Sequence, residues 1–214
     1  MLKVERTAVM NLENAMRGAR NPLNSWARSD SSYDENGNYI LGPNDLSLAK
    51  RLRLAGSDHR KFIRQIFVSC DVTAPLYWWK EYDTYKVATV ANSTSTMHKI
   101  HAKPIEMDDF SQDHLTADAQ KIMEAYIQEI EKIRLRYMEN GKNKEDWYDL
   151  IEMIPESYNQ MRTISLNYET LVNIYFARKN HKLDEWHTFC DWIETLPYAK
   201  EIILALPDEA EKVE

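Results

Sequence analysis

The chain has 214 residues, 43% of them hydrophobic and 29% charged, with a formal net charge of −7. Such a composition excludes a disordered chain, and the acidic balance argues against a general nucleic-acid binder. Only two cysteines, Cys70 and Cys190, are present, which excludes a disulfide framework. The N-terminus lacks the apolar core of a signal peptide, and no apolar run approaches membrane-spanning length. We therefore expect a cytoplasmic protein that interacts with neither membranes nor nucleic acid.

Hydrophobic periodicity, together with the residues that start and stop helices, divides the chain into alternating elements and connectors. The predicted elements, in chain order, are a strand over residues 2–7, helices over 9–16 and 45–55, a strand over 62–72, helices over 76–85, 117–140 and 144–153, an extended segment over 158–165, and helices over 167–177, 184–196 and 198–206. Residues 21–43 and 87–97 are small and polar, which predicts loops. We expect a single domain over residues 1–207, followed by an acidic tail over 208–214.

One basic cluster stands out in this acidic chain. It begins in the helix over residues 45–55, for which Asn44 is the predicted N-cap, and it comprises Lys50, Arg51, Arg53, His59, Arg60, Lys61 and Arg64. Two interpretations are open. The cluster is either a solvated helix face with ordinary ion pairs or a phosphate-binding patch, since fork-shaped guanidinium groups suit phosphate.

Two segments carry polar residues in an order that invites comparison with known proteins. The first segment, from His59 to Lys86, combines an apolar strand, a break at Ala74-Pro75, and a helix that is both aromatic and charged. The second segment, from Ile154 to Arg178, leads from an Ile-Pro pair through an extended stretch into a helix with several polar side chains. These polar residues are Asn167, Glu169, Asn173 and Arg178.

In these two segments the chain resembles the flavin-dependent thymidylate synthases. The first segment matches the family at His59, Phe62, Val72, Ala74 and Pro75, and Thr84-Tyr85-Lys86 stands where the family's R-H-R-x7-S signature has Arg-His-Arg. Ser95 follows one residue later than the signature serine. The second segment matches at Asn167, Asn173 and Arg178, but Glu169 stands where the family has Arg, and Arg64 stands where it has an acid.

The resemblance implies an α+β fold with a central, partly antiparallel sheet and packed helices, in a homo-oligomer that is a tetramer in the family. It implies methylation of dUMP with methylenetetrahydrofolate, in which reduced FAD supplies a hydride and NADPH reduces the flavin. Flavin contacts are then expected at His59, Lys61, Arg64, Thr84, Tyr85, Lys86, Asn167 and Asn173, and nucleotide contacts at Glu81, Ser95 and Arg178. Lys86 is the candidate catalytic residue, because it can stabilise charge that develops on the pyrimidine ring.

Other interpretations stay open. The chain is alternatively a catalytically silent relative that binds a nucleotide or a partner protein, or a flavoprotein that acts on another pyrimidine. The exchanged charges at Arg64 and Glu169 lead to the hypothesis that these two residues compensate each other if they lie close together. We propose no metal site, because His98, His101 and His114 lack acidic or thiol partners at ligand spacing.

Overall fold

The structure is a computed structural model that describes residues 2–206, so the predicted acidic tail over 208–214 lies outside the described residues. The strands are β1 (Lys3–Met10), β2 (Ser32–Tyr33), β3 (Tyr39–Ile40), β4 (Phe67–Pro75), β5 (Val90–Ser93) and β6 (Asn159–Asn167). The α-helices are α1 (Leu12–Arg20), α2 (Pro43–Leu54), α3 (Leu76–Tyr82), α4 (Thr96–Lys99), α5 (Ala117–Glu139), α6 (Lys144–Glu152), α7 (Tyr168–Arg178) and α8 (Asp184–Glu194). Among the shorter turns, a 3₁₀ turn over Arg60–Gln65 and a π-helical turn over Ala199–Ile203 matter below.

The main sheet has four strands in the order β1-β4-β6-β5, and β2 and β3 form a separate antiparallel hairpin. Strands β4 and β6 run antiparallel, because hydrogen bonds join the start of one to the end of the other. The Tyr168 N–H donates to the Ile66 carbonyl, and the Leu76 N–H donates to the Tyr158 carbonyl, both at 3.0 Å. This combination of helices with an antiparallel sheet confirms the predicted α+β class.

The described chain divides into two compact units. The first unit comprises residues 2–3, 71–85 and 91–163, and the second comprises residues 4–70, 86–90 and 164–206. The polypeptide passes between the units within β1, β4, β5 and β6, and in the connector between residues 85 and 86. That residues 1–207 act as one domain stays a prediction.

In the first unit, α5 contributes two residues to a cluster of buried apolar side chains. The cluster comprises Ile100, Ile105, Phe110, Ile127, Ile130 and Leu150. The three-and-four spacing along α5 places its apolar side chains on one face, and the Thr116 and Asn143 side chains cap α5 and α6. The aromatic helix α3 is buried as well, since Trp78 and Trp79 are both 0% exposed and the Trp79 indole N–H donates to the Gln160 carbonyl at 2.9 Å.

In the second unit, the core is formed by α7, α8 and the π-helical turn. The buried residues on these elements include Leu171, Val172, Ile174, Trp186, Phe189, Ile193, Ile202 and Ile203. The predicted apolar face of α7 is therefore buried, although Phe176 at its end is 36% exposed. Cys70 and Cys190 are both buried.

Several predicted boundaries are wrong. Asn44 does not cap α2: the helix begins at Pro43 behind Gly42, and the carboxylate of Asp30 accepts the N–H groups of Asn44 (2.8 Å) and Asp45 (3.1 Å). Helix α1 extends to Arg20, beyond its predicted end at residue 16, and α3 ends at Tyr82 rather than at residue 85. A distant carboxylate and tertiary packing decide these ends, and neither is visible in local spacing.

The prediction of a loop over residues 87–97 is also wrong in part, because this segment contains β5 and the start of α4. The N–H of Thr94, directly after β5, donates to the carbonyl of Met161 in β6 at 2.9 Å. A short edge strand of small, exposed residues has no periodic apolar pattern. It forms because the neighbouring strand supplies hydrogen-bond partners.

Candidate functional site

Asn167 organises the start of α7 in the second unit. It ends β6, is 5% exposed, and caps the helix, because its Oδ1 accepts the Thr170 N–H at 3.0 Å. Its amide nitrogen donates to the Arg64 carbonyl at 3.2 Å. The side chain therefore fastens the first turn of α7 to the 3₁₀ turn that carries Arg60, Lys61 and Arg64.

Glu169, in the first turn of α7, binds two arginines of that 3₁₀ turn. Its carboxylate accepts the Arg60 Nε–H at 3.0 Å and the Arg64 Nε–H at 2.5 Å, with a further Arg64 Nη2–H at 3.3 Å. Burial raises the pKa of Glu169, but the hydrogen bonds from Arg64 and Arg60 outweigh it and hold the pKa below its usual value. The contact between Arg64 and Glu169 confirms that the two exchanged charges lie together.

Arg53 adds a third guanidinium nearby. It is 8% exposed and its Nη2–H donates to the Ile203 carbonyl at 3.3 Å, while its Nε–H has no partner among residues 2–206. Burial lowers the pKa of Arg53, and the charge of Arg60 lowers it further. The basic cluster is thus not one solvated face: one arginine is buried, two share a carboxylate, and His59, Lys61 and Arg51 are exposed.

A cavity of about 470 Å³ in the second unit has two of the predicted flavin contacts, His59 and Lys61, in its wall. The other lining residues are Gly18, Ala19, Asn21, Pro22, Leu23, Ser25, Leu48, Leu52, Asp58, Phe62 and Gln65. The volume lies within the range of about 300–1,000 Å³ typical of small-molecule sites. The lining is mainly apolar and carries the Lys61 cation and the Asp58 carboxylate, which suits an aromatic ring with polar substituents.

Lys86 and Asn173 are both exposed. Asn173 lies one helical turn after Glu169, so the two share a side of α7. The residue after Lys86 is held near the start of this helix, because the Thr170 hydroxyl lies 3.1 Å from the Val87 carbonyl and 3.1 Å from Asn167 Oδ1. The sequence analysis missed Thr170, which the Asn-x-x-Thr spacing at the start of α7 could have indicated.

Arg178, at the end of α7, is a predicted nucleotide contact that the structure holds against an aromatic ring. Its guanidinium carbon lies 4.7 Å from the centroid of the buried Trp186 ring. A cation over the face of a tryptophan is attracted by the negative face of the ring. Trp186 therefore restricts where the Arg178 guanidinium can point.

The remaining predicted site residues belong to the first unit. The Thr84 hydroxyl donates to the Glu81 carbonyl at 2.7 Å, and the Tyr85 N–H donates to the Tyr82 carbonyl at 3.0 Å, so this segment follows α3 as a tight turn. Ser95 caps α4, since its Oγ accepts the His98 N–H at 3.0 Å. The functional roles of Glu81, Thr84, Tyr85 and Ser95 stay predictions.

Arg162 is a cation near this turn that the sequence analysis missed. Its guanidinium carbon lies 4.2 Å from the Trp79 ring centroid, and its Nη1–H groups reach the Asp83 carboxylate at 2.9 and 3.2 Å. Asp83 directly precedes Thr84. No spacing in the sequence predicts this contact, because it depends on β6 lying next to the end of α3.

No group of three His, Cys, Asp or Glu side chains within residues 2–206 is arranged to hold a metal ion. In the same part of the chain, none of the helices is both long enough and apolar enough to span a bilayer.

Comparison with known proteins identifies the fold. The chain is similar to thymidylate synthase X from Helicobacter pylori with FAD and dUMP, with a TM-score of 0.69 and 16% identity over 95% of this chain and 97% of that chain. A second structure of flavin-dependent thymidylate synthase ThyX from Helicobacter pylori, complexed with FAD and dUMP, has a TM-score of 0.68 and 18% identity over 94% and 97% of the two chains.

A third solved structure, of a methylase, is also similar to this chain. The UMP/dUMP methylase PolB from Streptomyces cacaoi, bound with 5-Br dUMP, has a TM-score of 0.62 and 13% identity over 97% of this chain and 96% of that chain. No protein-family model and no curated protein sequence matches this chain. The similarity therefore lies in the three-dimensional structure, and the chain has the fold of the flavin-dependent thymidylate synthases.

Proposed function

We propose that the protein is a divergent flavin-dependent enzyme that methylates dUMP or a related pyrimidine nucleotide. The carbon donor is methylenetetrahydrofolate, and NADPH reduces the flavin. The observation that supports this proposal is the likeness of fold over at least 94% of each chain to structures determined with FAD and dUMP. By the same resemblance, the enzyme is a homo-oligomer, with a tetramer as the expected state. The cytoplasmic location expected from the sequence is part of the same proposal.

The residues of the second unit fit FAD chemically. The cavity beside His59 and Lys61 offers apolar walls for a ring system and a cation for a diphosphate. Arg64, Lys86, Asn167 and Asn173 are the other predicted flavin contacts of this unit, with Thr84 and Tyr85 predicted in the first. When bound, FAD supplies the hydride, while the protein binds, orients and excludes water.

The proposed roles of the other residues follow from their charges. The Lys86 ammonium, which is exposed, stabilises negative charge that develops on the pyrimidine ring. Arg178 binds the nucleotide phosphate through charge-assisted hydrogen bonds, with its direction restricted by Trp186. Glu81 and Ser95 are the remaining proposed nucleotide contacts.

An absorption spectrum of the purified protein, with FAD added if it is colourless, tests this proposal. We expect a bound-flavin spectrum that is lost in Asn173→Ala and kept in Asn180→Ala, a matched control on an exposed asparagine just beyond α7. Tritium release from 5-tritiated dUMP should then require methylenetetrahydrofolate and NADPH and should fall in Lys86→Ala. A protein that neither contains nor takes up flavin contradicts the proposal.

A catalytically silent relative is the second candidate. Two observations favour it: the Thr84 hydroxyl is already used within its own turn, at 2.7 Å from the Glu81 carbonyl, and no guanidinium stands at positions 84–86. Calorimetric titration with dUMP distinguishes the candidates. Binding of dUMP without flavin uptake and without tritium release would favour the silent relative.

A further inference from the structure

Guanidinium groups outnumber carboxylates around the start of α7. Glu169 is shared by Arg60 and Arg64, so one negative charge faces two positive charges. Arg53 is buried close enough for the charge of Arg60 to lower its pKa. The charge of Asp58 also acts on Arg64, so three guanidinium groups face two carboxylates here, and the arrangement is still net positive.

The two arginines also keep free hydrogen-bond donors. Arg60 reaches Glu169 only through Nε, and within residues 2–206 its two terminal nitrogens have no protein partner. Arg64 uses Nε and Nη2, which leaves Nη1. Their side chains are 23% and 47% exposed, so both arginines are partly accessible to solvent.

We propose that Glu169 is a positioning residue, which orients Arg60 and Arg64 so that their remaining N–H groups form a binding site for a phosphate group of a nucleotide ligand. Guanidinium forks match phosphate oxygens, and the positive end of the 11-residue helix α7 adds to the attraction. This inference deepens the proposed function, since Arg64 is one of the predicted flavin contacts.

Titration with pyrophosphate, followed by calorimetry at low ionic strength, tests the site without flavin or turnover. Arg60→Ala and Arg64→Ala should each weaken binding about tenfold, because each removes charge-assisted hydrogen bonds. Arg51→Ala is the matched control, an exposed arginine of the same basic cluster, and should change binding by less than about twofold. Equal losses in all three variants would overturn the site.

The sign of the Glu169 effect distinguishes positioning from simple electrostatics. Glu169→Ala makes the site more positive, so charge alone predicts tighter pyrophosphate binding, whereas loss of orientation predicts binding about fivefold weaker. Glu169→Gln, whose amide oxygen still accepts one N–H, should fall between wild type and Glu169→Ala. Tighter binding in either variant overturns the positioning role, and Glu169→Gln decides the matter if Glu169→Ala does not fold.

Competition identifies the source of the phosphate. Displacement of pyrophosphate by FAD indicates a diphosphate, and displacement by dUMP indicates a nucleoside monophosphate. If neither nucleotide competes, the nucleotide part of the inference is wrong and the proposed function loses support, while the pyrophosphate titration still decides whether Arg60 and Arg64 bind phosphate.

Discussion

Exchanging the charges of Arg64 and Glu169 tests whether this pair acts as a unit. The perturbation consists of Arg64→Glu, Glu169→Arg and the double exchange, which restores opposite charges in reversed order. Because the Arg64 side chain is 47% exposed and that of Glu169 is 17% exposed, the two single variants should lower the free energy of unfolding by different amounts.

The structure allows the magnitudes to be estimated. Arg64→Glu removes one half-exposed partner while Arg60 remains on Glu169, so we expect a loss of about 1 kcal/mol in the free energy of unfolding. Glu169→Arg sets a guanidinium beside Arg53, Arg60 and Arg64 and should cost about 3 kcal/mol, near the lower limit for an uncompensated buried charge. If the double exchange costs only about 2 kcal/mol, the coupling energy is about 2 kcal/mol.

Thermal and urea unfolding, followed by circular dichroism, provide the assay. For a chain of this size each 1 kcal/mol moves Tm by about 2–4 °C. Exchange of Lys132 and Glu129 is the matched control, because this pair at 2.6 Å is 68% and 63% exposed and should show a coupling of only about 0.3–0.5 kcal/mol. If the losses in the free energy of unfolding of the two single variants sum to that of the double variant within about 0.5 kcal/mol, the pair is not coupled and the reasoning is refuted.

Three further predictions concern stability. Asp45→Ala should cost about 3–5 kcal/mol in urea unfolding, because the fully buried carboxylate accepts hydrogen bonds from one arginine and two serines. Hydrogen bonds outweigh burial and lower the pKa of both Asp45 and Glu169. The stability that these two carboxylates contribute, measured between pH 3 and 7, should therefore be full above their unfolded-state pKa values and fall as the pH drops through their folded-state values. An Asp45→Asn variant whose stability falls as steeply with pH as that of the wild type would contradict this assignment. Gly42→Ala should lower Tm by several degrees, because its Cβ would lie 2.3 Å from the Asp30 carboxyl carbon, whereas Gly18→Ala, which meets only a side-chain oxygen at 3.2 Å, should leave Tm unchanged or raise it.

The spacing of residues along the sequence was sufficient to predict those elements whose structure depends on their own residues. The steady apolar repeat of α5 predicts its length to within a residue of the observed helix, and the Ala74-Pro75 pair marks the junction of β4 and α3. Asn167 has the chemistry of an N-cap and serves as one. The motif order in the two segments predicts the fold, and the opposite departures from the family at positions 64 and 169 predict their contact.

Only the tertiary structure decided contacts between residues far apart in the chain. Strand β5 forms because β6 lies beside it, and the start of α2 is bonded by Asp30 rather than by Asn44. The second arginine on Glu169, at position 60, and the Thr170 hydroxyl near the Val87 carbonyl follow from the packing of α7 against distant segments. Sequence periodicity reports which face of an element is apolar, but the partner that each polar side chain meets depends on which segments the core brings together.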